Sequence, residues 1–119
     1  MTKINARRKG IAYEIKLVNE LKELFGNDEI GSSRNLSKHM DGLKCDIINI
    51  PMFNLQAKAT EATPAYHKLL KQMPDNENYN LIFHKRNNQG EVVVMSKADF
   101  YEIIEMLKSE GLICKNGRQ

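Results

Sequence analysis

The stretch CDIINIPMFNLQAKA, residues 45–59, decides the fold of this chain. It contains two short apolar runs separated by Pro51, which cannot donate a hydrogen bond inside a sheet. Each run has the length and composition of a β-strand. The sequence therefore predicts an antiparallel hairpin with strands over residues 44–50 and 53–60.

The second strand of this hairpin carries polar side chains where a core strand would carry none. Because side chains alternate along a strand, Asn54, Gln56 and Lys58 share one face. Asp46 lies in the first strand, so an acid, an amide and a lysine converge on neighbouring strands. The opposite face of the second strand is apolar and consists of Phe53, Leu55, Ala57 and Ala59.

The residues before the hairpin predict a long helix, from about residue 6 or 10 to residue 25. Gly26 suits its end, because glycine readily adopts the left-handed conformation. Glu14 lies within the apolar stripe, and an acid there costs free energy unless something pairs with it. Glu14 is therefore a candidate member of the hairpin site. The stripe consists of Ile11, Val18, Leu21 and Phe25, widened by Ile15 and Leu24.

The remaining residues predict further strands and helices around the hairpin. A short strand is expected over residues 29–34, followed by a flexible, partly basic loop over 35–43. A helix over residues 62–73 and strands over 79–84 and 91–95 come next. The last helix begins after Ser96, in a capping box, and ends near residue 110. The order αβββαββα predicts an α/β fold, with a mixed β-sheet flanked by helices.

The composition indicates one domain of an intracellular protein. The 119 residues are 41% hydrophobic, which is enough for a core in a single domain. No apolar run approaches the roughly 20 residues of a membrane span, and no secretory signal is present at residues 1–9. Cys45 and Cys114 have no paired spacing and are interpreted as reduced thiols. We therefore expect a cytoplasmic protein that needs no membrane and no small-molecule cofactor.

The net charge of +3 is unevenly distributed. Residues 1–10 carry +4 and residues 115–119 carry +2, so the remainder carries −3. A basic arm over about residues 1–9 and a basic tail over about 112–119 suggest contact with a polyanion, although solvated termini would have the same charge. Candidate phosphate contacts, which give affinity without reading sequence, are Arg7, Arg8, Lys9, Arg34, Lys38 and Lys44. Ordinary surface charge is the alternative for Lys38 and Lys44.

The polar residues of the hairpin have the chemistry of a metal site that hydrolyses phosphodiesters. Oxygen ligands hold Mg²⁺, which lowers the pKa of bound water and polarises phosphoryl oxygens. Asp46 and Glu14 can supply carboxylates, and Gln56 an amide oxygen. Lys58 suits stabilisation of the transition-state charge. The structural alternatives are an ion pair between Glu14 and Lys58 and a solvated edge strand carrying Gln56 and Lys58.

Two motifs resemble a known nuclease family. NARRKGIAYE, residues 5–14, is similar to the opening of archaeal-type Holliday junction resolvases, a basic stretch followed by Lys-Gly and a helical glutamate. Asp46 with the triplet Gln56-Ala57-Lys58 resembles the PD-(D/E)XK nuclease signature of Asp followed by Glu-x-Lys. The resemblance covers roughly residues 5–60. Gln56 departs from it, because the signature has a carboxylate there. Glutamine at this position also occurs in restriction enzymes resembling the Mrr group.

The resemblance implies a restriction-endonuclease-like fold and a homodimeric endonuclease. Such an enzyme would resolve four-way (Holliday) DNA junctions by paired phosphodiester hydrolysis. It would use Mg²⁺, with Mn²⁺ as a substitute, and its partner would be branched DNA. The implied metal ligands are Glu14, Asp46, Gln56 and the backbone carbonyl of Ala57. Lys58 would be catalytic, and Ser32 and Ser33 match a serine-bearing loop that approaches the cut phosphate.

Other functions remain compatible with the same residues. One is an Mrr-like restriction or repair nuclease of the PD-(D/E)XK superfamily. Another is a non-catalytic DNA-binding protein that kept a nuclease fold, which the neutral Gln56 favours. A third is a protein-interaction module with basic ends, which predicts no salt-sensitive DNA affinity. An origin in a virus or a mobile element is compatible with all of them.

Overall fold

The computed structural model describes residues 3–114 and 116, and within them the chain forms one five-stranded mixed sheet with helices. Lys115 and Arg118 of the predicted basic tail lie outside the described residues. The predicted α/β class with a mixed sheet is confirmed. In chain order the elements are α1 (Lys3–Phe25), β1 (Gly31–Ser32), α2 (Ser33–Leu36), α3 (Lys38–Gly42), β2 (Ile47–Ile48), β3 (Phe53–Ala59), α4 (Tyr66–Gln72), β4 (Tyr79–Arg86), β5 (Gly90–Val94) and α5 (Lys97–Ser109).

Helix α1 buries a different line of side chains from the one predicted. The buried residues are Tyr13, Leu17 and Leu21, which lie four apart and therefore on one side of a helix. The helix also begins earlier than expected, so the predicted basic arm is its first turns from residue 3 onward. The prediction was wrong for three residues of the apolar stripe, which are exposed: Ile15, Leu24 and Phe25.

The segment between β1 and β2 was predicted to be a flexible loop, and this prediction was wrong. It forms the short helices α2 and α3, because serine side chains cap both of them. Oγ of Ser32 accepts a hydrogen bond from the backbone N–H of Arg34, and Oγ of Ser37 accepts one from Met40. Since α2 starts at Ser33, β1 is shorter than predicted.

The predicted hairpin is confirmed, since β2 and β3 pair antiparallel with Ile47 opposite Leu55. β2 has only two residues because Asn49 adopts a left-handed φ of 68°, which ends the extended backbone. On the other side β3 pairs in parallel with β4 over its whole length. Helix α4 makes the crossover that a parallel pair requires. It begins at Tyr66, later than predicted, and Pro64 precedes it.

Strand β3 lies in the middle of the sheet, so the interpretation of Gln56 and Lys58 as a solvated edge was wrong. Helix α1 packs on the apolar face of β3, although Glu14 of this helix was predicted to join the polar face. Asn54 and Gln56 on the other face are buried, and Lys58 is half-buried. The core between α1 and the sheet consists of Tyr13, Leu17, Leu21, Ile30, Ile47, Ile50 and Leu55.

The last two elements form one end of the fold. Strand β5 is an edge strand that pairs only with β4. Helix α5 has the predicted bounds to within one or two residues, and Oγ of Ser96 caps it by accepting from the N–H of Asp99. No residue of α5 is buried. Among the described residues, no helix has both the length and the apolar character needed to cross a membrane.

Candidate metal and phosphate site

Asp46 is held against β3 by its backbone and by its side chain. Its N–H donates to the carbonyl of Leu55 at 2.8 Å, and its Oδ2 accepts from the N–H of Ala57 at 2.8 Å. Its own carbonyl accepts from the N–H of Ser33, also at 2.8 Å. The carboxylate is therefore fixed beside the segment of β3 that carries Gln56.

Gln56 carries a buried oxygen without a hydrogen-bond donor. Its side chain is 3% exposed, and Oε1 has no partner among the described residues. Asn54 on the same face is satisfied, because its Nδ2 donates to Asn76 at 2.9 Å and to Asn80 at 2.8 Å. A buried acceptor without a donor costs about 1–3 kcal/mol. Oε1 of Gln56 is therefore an acceptor that a bound ligand could satisfy.

The environment of Asp46 disfavours its ionised form. Burial raises the pKa of Asp46 above its ordinary value. The hydrogen bond from Ala57 and the positive charges of Lys58 and Lys44 oppose this effect, while the negative charge of Asp41 adds to it. The three cationic or donor groups do not cancel the cost of burial. A cation bound near Asp46 would lower this cost of burying the ionised carboxylate.

Glu14 approaches the same region from α1. Its side chain is 15% exposed, and its Oε1 lies 3.2 Å from Nη2 of Arg34. Burial raises the pKa of Glu14, and the charge of Asp46 raises it further, while Arg34 lowers it. The charge of Asp46 therefore acts on Glu14, while binding of one metal ion by both residues stays a prediction. The alternative ion pair with Lys58 is not formed, because Glu14 pairs with Arg34.

Asp41 is a third acid near this region that the sequence did not place. It lies in α3, where its Oδ1 accepts from Oγ of Ser33 at 3.3 Å. Its negative charge raises the pKa of both Glu14 and Asp46. Residues 35–43 were predicted to be a flexible loop, and such a prediction gives no position for the side chain of Asp41. The serine cap of α3 was the signal that could have found it.

The two candidate serines hold α2 beside Asp46. Ser32 caps α2 through its hydroxyl oxygen, and Ser33 is fully buried and donates its hydroxyl proton to Asp41. Both hydroxyl groups therefore already have partners within the fold. Their approach to a cut phosphate stays a prediction.

The candidate phosphate contacts fall into two groups. Lys9 and Arg34 have carboxylate partners, since Nζ of Lys9 lies 3.7 Å from Oε1 of Glu61 and Arg34 pairs with Glu14. These two cations are therefore partly neutralised within the fold. The other candidates are exposed and form no ion pair within the described part of the chain: Arg7, Arg8, Lys38 and Lys44.

The residues of this region fit Mg²⁺ by the chemistry of their donors. Within residues 3–114 and 116, no three Asp, Glu, His or Cys side chains are placed to hold a metal ion. Glu14 and Asp46 instead offer two carboxylates whose charges interact, and Gln56 offers an amide oxygen on the face of β3 opposite to α1. These are the hard oxygen donors that Mg²⁺ prefers. Burial raises the pKa values of both acids, and a cation bound near their carboxylates would lower them.

No family model, curated protein or solved structure matches this chain. The likeness to resolvases therefore rests on the motif residues and stays a prediction.

Proposed function

We propose that this protein is a Mg²⁺-dependent, structure-selective DNA endonuclease that resolves four-way junctions. The observation that carries the proposal is the position of Asp46. Its carboxylate is hydrogen-bonded to the strand that carries Gln56 and Lys58, and its charge is coupled to Glu14 and to Lys58. Two acids, an amide oxygen and a lysine on this framework are the groups that phosphodiester hydrolysis requires.

The order of elements supports a restriction-endonuclease-like fold. A helix, an antiparallel pair that continues into a parallel strand, and a crossover helix follow one another, with Asp46 directly before β2 and Lys58 on the neighbouring β3. The two short helices between β1 and β2 are additions to the predicted order. The proposed fold family rests on this order together with the motif residues.

The protein residues have distinct proposed roles. Glu14, Asp46, Gln56 and the carbonyl of Ala57 would hold Mg²⁺. A bound Mg²⁺ would supply positive charge at the phosphoryl oxygens and lower the pKa of an attacking water. Lys58 remains close enough to Asp46 to influence its ionisation, and its ammonium would stabilise negative charge that develops on phosphorus.

A homodimer is part of the proposal, because paired cuts need two sites at a fixed separation. The end of the fold formed by β5 and α5 supports this, since it exposes large apolar side chains. Apolar groups left in contact with water favour association. A twofold dimer would bury the same surface on both copies. The exposed residues are Val92, Val93, Phe100, Tyr101, Met106 and Leu112.

A non-catalytic DNA-binding protein is the second candidate. Gln56 favours it, because a neutral amide replaces the carboxylate of the nuclease signature, and among the described residues no three Asp, Glu, His or Cys side chains are placed to hold a metal ion. Under this candidate Lys58 and the exposed basic residues bind DNA, while Asp46 only fixes β3. An Mrr-like restriction or repair nuclease remains an alternative within the catalytic class.

A cleavage assay separates these candidates. Purified protein is incubated with a labelled four-way junction or with linear duplex of the same sequence, in Mg²⁺ or in chelator. We expect symmetric cuts in the junction only with Mg²⁺, and loss of cleavage with retained junction binding for Asp46→Ala. Cleavage of linear duplex alone would point to a restriction or repair nuclease. Equal background cleavage by the wild type and Asp46→Ala would defeat the catalytic assignment.

A further inference from the structure

A groove opens between the polar end of β3 and helix α4, on the side of the sheet that carries Gln56. Its volume is about 440 Å³. We call it the lysine groove, because Lys44, Lys58 and Lys68 line it. Lys58 comes from β3, Lys68 from α4 and Lys44 from the segment before Asp46. Three separate parts of the chain therefore bring one positive charge each to the same space.

The lysines of the lysine groove have no carboxylate within ion-pair distance among the described residues. No acidic residue lines the groove. Several other cations of the fold do have carboxylate partners, as Lys16 does with Glu91 at 2.7 Å. Like charges in one concave space repel each other and focus a positive potential. Such a groove favours an anionic ligand.

The position of the groove connects it to the proposed catalytic site. Lys58 directly follows Ala57, whose N–H donates to Oδ2 of Asp46 at 2.8 Å, so one part of the groove lies near that carboxylate. Lys68 brings a further positive charge to the groove from α4. Lys44 has a left-handed φ of 62°, a conformation that is uncommon for a residue with a side chain. The backbone is therefore held in a costly state at the position that supplies one of the three charges.

The other lining groups suit a sugar-phosphate chain. Oγ of Thr63 accepts a hydrogen bond from Arg86, so its own proton is available to a phosphate oxygen. Gln72 adds an exposed amide, and Pro64 and Leu69 add apolar surface for sugar and base. The volume is in the range of sites that enclose one small organic ligand. The groove can therefore hold a short stretch of a single strand, whereas a duplex is too wide.

We propose that the lysine groove binds the backbone of one nucleic-acid strand as it leaves the Asp46–Lys58 site, with Lys68 and Lys44 contacting its phosphates. The path of the strand from the Asp46–Lys58 site into the groove rests on the proposed function. The proposal adds Lys68, Thr63 and Gln72 to the nucleic-acid contacts, none of which the sequence indicated. The contacts are to phosphates, so they give affinity without base specificity.

The test compares two lysines of the same helix. Lys68 lines the groove, whereas Lys71 is exposed on α4 and does not line it. Binding of a fluorescent single strand and of a four-way junction is measured by anisotropy in chelator, over a series of salt concentrations. We expect Lys68→Ala to weaken binding about three- to tenfold and to reduce the salt slope by about 0.7–0.9, one phosphate contact. Lys71→Ala should change affinity less than twofold, and Lys68→Arg should restore it.

The outcomes separate this inference from the proposed function. Equal losses for Lys68→Ala and Lys71→Ala, or no nucleic-acid binding by the wild type, would overturn the lysine groove. If Lys68→Ala weakens nucleic-acid binding more than Lys71→Ala does, and the wild type cuts no junction in Mg²⁺, the groove stands and the nuclease assignment fails. If the wild type cuts junctions and both alanine variants bind alike, the nuclease stands and the groove fails.

Discussion

Two nitrogens of Arg34 contact the same carboxylate oxygen of Glu14: Nε and Nη2 each lie 3.2 Å from Oε1. Such charge-assisted contacts are stronger than neutral hydrogen bonds. The guanidinium therefore occupies part of the carboxylate that the proposed metal site needs. Binding of Mg²⁺ at Glu14 would have to compete with Arg34 or share the carboxylate with it.

Removal of the Arg34 charge is therefore expected to increase the affinity for Mg²⁺. Arg34→Met keeps much of the side-chain bulk, and we expect binding to tighten up to about tenfold, or about 1.4 kcal/mol. Titration calorimetry with MgCl₂ measures the effect. Lys38→Met is the control, because Lys38 is exposed and has no ion pair within the described residues. Equal affinities in both variants would mean that Arg34 does not compete with the ion.

Asp46 is expected to destabilise the metal-free protein at neutral pH. Burial raises its pKa, so folding penalises the ionised form. The penalty is absent below the unfolded pKa of about 3.9 and complete above the folded pKa. In chelator, Asp46→Asn should therefore melt at a higher temperature than the wild type at pH 8. The difference should vanish as the pH falls towards 4.

Thermal melting monitored by circular dichroism across this pH range checks the prediction for Asp46. Asp75→Asn makes the same change of charge at an exposed position after α4. Its melting temperature should follow that of the wild type at every pH. A difference for Asp46→Asn that grew towards low pH would mean that folding lowers the pKa of Asp46 instead of raising it.

Gln56→Glu should restore a carboxylate to the site. We expect Mg²⁺ affinity to rise by about tenfold, because the ion gains a charged ligand. Without metal the variant should be less stable by about 1–3 kcal/mol, since it places an acid at a position that is only 3% exposed. Chemical denaturation with and without MgCl₂ measures both effects. Asn54→Asp on the same face is the control, and Mg²⁺ should not rescue its stability.

The exposed apolar end of the fold predicts a dimer that a single charge disrupts. Light scattering after size-exclusion chromatography should give about twice the chain mass of 13.7 kDa for the wild type. Tyr101→Glu on α5 should elute at the mass of one chain, because a charge cannot be buried there without a partner. Ile15→Glu places the same charge on exposed apolar surface of α1 and should remain dimeric. A monomeric wild type would remove α5 as the dimer surface.

Measurements of the free energy of unfolding can test which side of α1 faces the sheet. Leu17 is 2% exposed and Ile15 is 56% exposed, although both belong to the apolar residues of one helix. Leu17→Ala should cost about 2–5 kcal/mol in the free energy of unfolding, from lost burial and a cavity. Ile15→Ala should change it by less than about 0.5 kcal/mol. Urea denaturation of the two variants gives the comparison.

Local sequence patterns predicted the features that depend only on residues close together in the chain. The alternation over residues 53–59 predicted which side chains of β3 share the apolar face, because a strand has only two faces. Ser96 predicted the start of α5, since a serine cap acts within one turn. Gly26, with a φ of 63°, marks the end of α1 for the same local reason. These predictions needed no knowledge of distant residues.

Long-range packing decided the features that the sequence missed. Residues 11–25 contain two overlapping apolar lines, and only contact with the sheet selects Tyr13, Leu17 and Leu21 over Ile15 and Leu24. Lys68 is one of several basic residues on a short helix, and it becomes a groove residue only because α4 crosses beside β3. Neither the buried side of α1 nor the position of Lys68 in the groove can be read from the local sequence.

The sequence by itself determined the residue types of the candidate site and the strand that carries Gln56 and Lys58, because motif spacing and side-chain alternation are properties of neighbouring residues. The tertiary structure alone decided that β3 is central, that Arg34 rather than Lys58 pairs with Glu14, and that Oε1 of Gln56 is buried without a donor. Strand neighbours and charge partners far apart in the chain depend on how the whole chain buries its apolar surface.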